Sequence, residues 1–344
     1  MTSGDFDGLL DLGRLEQWMS SRLGGSAPID VMRITSGASN EMFEVSRSGE
    51  VVILRRPPSS RAARSAHDVV REHRVLIALA GSDVPHPRPI ALCEDEAVIG
   101  APFYLMERID GFAPREPLPS PFDRDPAVRH AMGIELVDVL ARIACVDWKA
   151  AGLEGFGRPE GFLERQVGRW LGQLETYRTR DIPGLDGVAR WLTDSRPEPS
   201  PPGIIHGDYQ FINVMFAHGT PPRIAAVVDW EQSTIGDPLL DLGWVLAGWT
   251  DPGEAVLYGA YLSDRSGLPT RAELIARYAE RTGRSTEHIG YYVVLSLFKL
   301  ACVLEGSYYR YVKGMSRTPA HRRFGELVPQ LISRAAQLAT APPA

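Results

Sequence analysis

Residues 204–216 read IIHGDYQFINVMF, and this stretch sets His206, Asp208 and Asn213 between two apolar runs. Polar side chains pinned between segments that pack into a core cost stability unless they are bonded or used. A carboxylate placed like Asp208 suits a catalytic base that takes a proton from an attacking hydroxyl. The neutral side-chain oxygen of Asn213 suits a hard cation such as Mg²⁺. His206 reads as a support for the loop rather than as a chemical participant. Further on, VVDWE at 227–231 ends an apolar strand on Asp229, where an unpaired carboxylate would be costly. A metal ion is its natural partner, and a turn or helix cap is the bland alternative. In GDPLLDLGW at 236–244, Asp237 reads as a helix cap. Asp241, flanked by apolar residues inside that helix, needs a buried partner such as the backbone of the Asp208 loop.

The N-terminal third offers matching groups. TSGASN at 35–40 is a small-residue loop before a strand, containing Ser36, Gly37, Ser39 and Asn40. Backbone N–H groups of such a loop can approach phosphate oxygens, although it can equally be a plain turn. In VVILR at 51–55, strand alternation puts Val51, Ile53 and Arg55 on one face and leaves Arg56 on the other. Glu72, on a following helix, could pair with Arg55 and hold it toward a phosphate. Phosphoryl transfer requires a phosphate cradle, a cation on the phosphates, a metal held by Asp and Asn, and an Asp that orients the nucleophile. The chain presents these in that order.

The elements that must position these groups are partly legible. Residues 41–46 and 50–54 read as a hairpin across Arg47-Ser48-Gly49. The pattern over 63–80 suits an amphipathic helix, the single helix expected in the first hundred residues, and strands follow at 89–93 and 102–106. Asp125 and Pro126 open a helix with Val128, Met132, Leu136, Val139, Leu140 and Ile143 on one face. Another helix is expected over 162–177 and a strand over 224–228. Everything beyond reads as helical: one helix from Asp237-Pro238, one from a Thr270/Glu273 capping box, a long apolar one from Ser285 to about Val312, and one from Pro319. The expected fold class is α+β, with a small β-rich N-terminal lobe over 1–107 and a larger, mainly helical lobe over 108–344. A pocket between two such lobes is a usual ligand site.

Composition narrows the function classes. The 344 residues carry a net charge of −6 with no basic stripe, so a nucleic-acid partner is not expected. No apolar window long enough to span a membrane is read, and no signal peptide, so the expectation is a cytoplasmic protein, monomer or homodimer. Cys93, Cys145 and Cys302 are distant and odd in number, which suits buried thiols better than disulfides or a zinc site.

HGDYQFIN followed by VVDWE and GDPLLDLGW closely resembles the aminoglycoside phosphotransferase and choline kinase-like family, which shares the protein-kinase fold. The resemblance spans most of the chain, from about Arg33 to the last helix. It implies a transferase that uses ATP or GTP with Mg²⁺ to phosphorylate a hydroxyl of a small molecule. Asp208 is then the base, Asn213 and Asp229 are the Mg²⁺ ligands, and the 37–40 loop lies over the phosphates. LMER at 105–108 becomes the inter-lobe hinge, so Glu107 and Arg108 join Arg55 and Glu72 at the nucleotide. One departure stands out: the family's usual lysine on the phosphate-binding strand is Arg55 here. LRRPP looks like a branch associated with acyl-CoA dehydrogenases, in which Arg or Lys occurs at this place.

Four other readings compete. A nucleotide-binding module without catalysis would account for Arg55, yet Asp208, Asn213 and Asp229 are all present. A metal hydrolase could use His206, Asp208 and Asp229, but leaves the glycine loop, Arg55 and Glu72 unexplained. A protein kinase would need an activation segment, and Asp229 and Asp237 are only eight residues apart. An aminoglycoside-resistance kinase would want a dense acidic wall, whereas Asp251, Glu254 and Glu305 are scattered, with Arg310 and Lys313 nearby.

Overall fold

The structure is a computed structural model, described here for residues 8–34, 40–58, 68–115, 117–259, 262, 264–316 and 318–340. Ser36, Gly37 and Ser39 lie outside the described residues, as do residues 63–67 of the expected helix. The N-terminal part is a five-stranded antiparallel sheet in the order β1 (Asp30–Ile34), β2 (Glu41–Arg47), β3 (Glu50–Arg56), β5 (Phe103–Glu107), β4 (Pro89–Cys93). The β2–β3 hairpin turns on Ser48 and Gly49, both at positive φ (51° and 87°), the two-residue geometry that matches strand twist. Helix α1 (Leu12–Leu23) covers one face of the sheet, burying Leu15 and Met19 against Phe43, Val45, Leu54, Phe103 and Leu105. Helix α2 (Val69–Leu79), capped by Asp68, lies on the other face. The expectation of a single helix in this region is therefore corrected by α1.

Strand alternation sorts the two arginines of β3. Arg55 pairs in register with Tyr104 on the α2 side. Arg56 is buried on the opposite side, where its guanidinium donates to the carbonyls of Leu9 and Ile99 and ties the N-terminal segment to the sheet.

Beyond Glu107 comes α3 (Pro126–Cys145), preceded by turns at 120–124 and started by Asp125 and Pro126 as their residue types dictate. On the way, Phe112 and Phe216 exchange backbone hydrogen bonds of 2.8 Å. Helices α4 (Phe162–Glu175) and α5 (Leu185–Asp194) follow. Two short antiparallel ladders then carry the motif residues: β6 (Gly203–Ile205) with β9 (Thr234–Gly236), and β7 (Val214–Phe216) with β8 (Ile224–Val227). β9 corrects the purely helical expectation beyond Asp229. The remainder is α6 (Leu239–Gly248), α7 (Arg271–Thr282, with the Thr270/Glu273 capping box), α8 (Ile289–Val312) and α9 (Pro319–Thr340).

By length and composition α8 could cross a membrane, contrary to expectation. In the structure 67% of its most apolar window is buried, and it packs between α6 and α9 as the core of the helical part. At the α6–α8 crossing a Cβ on Gly243 would fall 2.6 Å from the backbone of Tyr292, so the approach requires glycine. Cys93 and Cys302 are buried free thiols, but Cys145 is exposed, which corrects the uniform burial expected for the three.

Candidate active site

β6 delivers the chain to His206, which is fully buried. Both ring nitrogens of this fully buried histidine are committed: Nε2 donates to Val228 O at 3.0 Å, and Nδ1 accepts from Asp208 N at 3.3 Å. Burial pulls its pKa down to about 4, so the ring is neutral and fixed as the Nε2–H tautomer. A histidine held in this way is a brace, and the metal-hydrolase reading loses its nitrogen ligand. Asp241 reaches across from α6 and accepts from His206 N (2.6 Å) and Gly207 N (2.9 Å), the buried loop-backbone partnership its position demanded. Gly207 sits at φ +86°, and a Cβ there would lie 2.5 Å from Gln232 O. The turn that presents the next residue, Asp208, therefore needs glycine.

Asp208 is partly buried. Its Oδ1 accepts from Gln210 Nε2 at 2.6 Å and its Oδ2 from Asn213 Nδ2 at 2.9 Å; Asn213 also donates to the Asp208 carbonyl at 2.8 Å. Burial raises the Asp208 pKa to about 6, against the opposing pull of Lys299 and the Asn213 hydrogen bond. A carboxylate that is ionised at neutral pH but basic enough to accept a proton fits a general base.

The second cluster centres on Arg55. Its side chain is buried, with Nε 2.8 Å from Glu72 Oε2 and a terminal nitrogen 2.5 Å from Asp229 Oδ1 and 3.7 Å from Glu231 Oε2. Three carboxylates thus surround one guanidinium. Burial opposes its charge, but Glu72, Tyr104 and Asp229 hold the proton on. Burial lifts Glu72 to about 7, with Arg55 opposing. Glu72 Oε1 also accepts from Trp230 N at 3.1 Å, so α2 is bonded to both sides of the cluster. Asp229 is held in the left-handed region (φ 68°, ψ 58°), a conformation tolerated best by Gly, Asn and Asp. Asn40 donates to Glu231 at 3.2 Å, while its buried Oδ1 has no partner among the described residues.

Both clusters open on one cleft of about 690 Å³ between the sheet and the helical part. Asn40, Arg55, Glu72, Glu107, Arg108, Asp208, Asn213 and Asp229 all line it. The Glu107 N–H is spent on Arg88 O, and the Arg108 side chain is turned to Glu44 at 3.1 Å. Glu107 also accepts from Arg88 N on its carboxylate at 3.1 Å, so at these two positions both side chains, and the Glu107 N–H, are already engaged. His206, Asp237 and Asp241 stand behind the cleft. Asp237 does more than start a helix: it accepts from Leu239 N, from Ser200 N and Oγ, and from Tyr292 Oη at 2.6 Å.

Residue-by-residue reading of the sequence missed Glu231 and Lys299. Lys299 is a lone buried cation in the apolar α8, bonded to the Gly207 carbonyl. Its signal was present: one lysine between Phe298 and Leu300 in a run with no other charge for several residues.

This two-lobed arrangement, with a cleft lined by Asp208, Asn213, Asp229 and Arg55, defines a kinase-like fold. Residues 30–275 match the profile of the phosphotransferase enzyme family, and the chain belongs to that family. It is 32% identical over 333 residues to mouse acyl-CoA dehydrogenase family member 10, covering 95% of this chain and 31% of the relative. The chain spans less than half the length of the dehydrogenase-named relatives, 43% for the human family member 11. Among solved structures, a Ralstonia eutropha protein named for the aminoglycoside phosphotransferases superposes with a TM-score of 0.81 at 32% identity, covering 96% of this chain and 98% of its own. A thermostable mutant of aminoglycoside phosphotransferase APH(4)-Ia, in complex with ADP and hygromycin B, shares the fold at 15% identity, with a TM-score of 0.62 over 95% of this chain and 99% of its own.

Proposed function

We propose that the chain moves the γ-phosphoryl group of ATP or GTP to a hydroxyl of a small molecule, with Asp208 as base and Mg²⁺ held by Asn213 and Asp229. The observation that carries this reading is the convergence of Asp208, Asn213, Asp229 and Arg55 on one cleft. The residues fit a hard cation. Asn213 spends its amide nitrogen on Asp208, which leaves its carbonyl oxygen to give, and the Arg55 cluster has three carboxylates for one guanidinium. When bound, Mg²⁺ neutralises charge on the phosphates.

The chain's own residues do the rest. Asp208 receives the proton of the acceptor hydroxyl, and Gln210 and Asn213 fix its orientation. Arg55, held by Glu72, meets the phosphates with a planar fork in place of a lysine's point charge. Residues 1–107 serve as the nucleotide lobe and 108–344 supply the base, the metal ligands and the acceptor site, with Ser36, Gly37, Ser39 and Asn40 over the phosphates. The cytoplasm provides the nucleotide. The dehydrogenase-named relatives make a hydroxylated acyl derivative one candidate acceptor beside a hydroxylated antibiotic.

A second reading has an observation of its own. Arg55 occupies Asp229, one of the two metal ligands, as it would in a nucleotide-binding module that has given up catalysis. Calorimetric titration with ATP and GTP, with and without Mg²⁺, tests both readings. Affinity that rises with Mg²⁺ and loses the gain in Asp229→Ala supports the metal site. Phosphoryl transfer that disappears in Asp208→Asn while nucleotide affinity persists supports catalysis. Nucleotide binding indifferent to Mg²⁺ would favour the module, and failure to bind either nucleotide would reject both.

A further inference from the structure

Helix α2 reaches from the sheet region into the helical part through three consecutive contacts. Glu72 accepts from Trp230 N at 3.1 Å, and Arg71 donates to Ser233 O at 3.1 Å. Both bonds end on the turn at 230–233 that follows Asp229. The Arg71 guanidinium also lies 3.6 Å from the centre of the Phe156 ring, and Arg74 lies 5.8 Å from the same centre. Arg74 further donates to the carbonyls of Gly152 and Glu154, at 2.9 and 2.8 Å.

The platform that receives these arginines is itself fixed. Phe156 belongs to the connection between α3 and α4 and is buried. A Cβ on the next residue, Gly157, would fall 2.6 Å from Ile235 N, so the connection is seated tightly against β9. Val69, Val75, Leu76 and Leu79 of α2 join one apolar cluster with Phe156, Trp230 and Ile235. Like charges one turn apart repel on a free helix. Here each guanidinium ends on backbone carbonyls and both share one ring, a planar seat that suits arginine.

We infer that Phe156 and Arg71 are positioning residues for the cleft, with Arg74 as a second tie. They fix α2 on the helical part, so that Glu72, and through it Arg55, keeps its place relative to Asp208 and Asp229 before any ligand arrives. α2 is then a fixed wall of the cleft, not an element that swings in with the nucleotide. The lever is short: Glu72 Oε2 is 2.8 Å from Arg55 Nε. A displacement of α2 by about 1 Å would part them, because hydrogen bonds weaken steeply beyond that range. The inference rests on the proposed nucleotide site for its meaning, but the clamp can be read without it.

Hydrogen exchange of the α2 amides in the ligand-free, full-length chain reads the clamp. Phe156→Leu should speed their exchange about ten-fold or more while α7 is unchanged. Arg71→Gln, which leaves the apolar core intact, should give the same pattern. Adding Mg·ATP should slow α2 in either variant but change it by less than about two-fold in the parent. Titration with Mg·ATP then reads the positioning. Arg71→Gln should weaken binding roughly 3- to 10-fold, the size of one partly buried cation–π contact, and Arg71→Lys should restore most of it. Because Arg71 acts through Glu72, adding Arg71→Gln to Glu72→Gln should change affinity by less than about two-fold. Exchange of α2 unmoved by both single variants would overturn the inference. So would protection of α2 by Mg·ATP of more than about five-fold in the parent, or additive effects of Arg71→Gln and Glu72→Gln. If no nucleotide binds, the phosphotransfer reading falls, and exchange in the ligand-free chain alone upholds or overturns the clamp.

Discussion

Replacing Asp208 by asparagine should stabilise the fold. Burial lifts the Asp208 carboxyl to about 6, so the folded chain binds that proton more tightly than the unfolded chain does. The sign follows directly: this group's contribution is most favourable below an ordinary aspartate pKa of about 4, and is lost as pH rises through about 6. Holding the carboxylate ionised in the folded state at pH 8 corresponds to about 3 kcal/mol, and at pH 5 to roughly half of that. Asp208 is partly exposed, and its ionised form balances Lys299, so the net gain expected from Asp208→Asn is about 1–2 kcal/mol at pH 8. For a chain of 344 residues that is a rise of about 1–3 °C in Tm. Scanning calorimetry of parent and variant at pH 8 and pH 5 reads it directly. The gap should shrink at the lower pH while phosphoryl transfer is lost at both. A variant less stable than the parent at pH 8, or a gap indifferent to pH, would refute the argument that burial sets the character of this carboxylate.

Three further outcomes are expected. Asp241→Ala leaves the buried N–H groups of His206 and Gly207 without an acceptor and should cost about 2–4 kcal/mol in chemical denaturation. Gly207→Ala forces a Cβ against Gln232 O at positive φ and should cost at least about 1–3 kcal/mol, visible as a lower melting temperature with nucleotide affinity still measurable. Arg55→Lys keeps one charge among three carboxylates and should bind Mg·ATP within about ten-fold of the parent, whereas Arg55→Met leaves buried carboxylates unpaired and should lose about 3–5 kcal/mol of stability.

What the sequence made legible was what local chemistry dictates. Asp125-Pro126 and the Thr270/Glu273 box start helices because their side chains satisfy otherwise unbonded N–H groups, whatever packs around them. The Ser48-Gly49 turn is fixed by backbone handedness in the same way. What escaped depends on tertiary context. Helix α5 carries Leu185, Val188, Ala189 and Leu192 at helical spacing but is short and set between Pro183 and Pro197, so its turn signals mask its period. Helix α1 buries only Leu15 and Met19, too little apolar repetition to announce itself. β9 is three residues long and exists because β6 pairs with it. At the site, Asp208, Asn213 and Asp229 share short motifs, and their placement on one cleft agrees with their spacing. Lys299 lies ninety-one positions from Asp208 and meets its loop only through the packing of α8. No spacing rule reaches that far.

Helix α8 carries a further consequence for the chain as it is made. Its 24 residues have the length and apolarity of a bilayer span, and insertion would place Lys299 near the middle of the hydrocarbon. A lysine at that depth costs about 2.5–3.5 kcal/mol on insertion scales, and Glu305, one and a half turns further on, adds to the penalty. In the folded molecule both charges have partners waiting: the Gly207 carbonyl and the Trp244 ring for the lysine, Arg180 for the glutamate. The charge beside the Asp208 loop is therefore also a sorting mark, which biases an otherwise lipid-compatible segment toward the interior of its own protein.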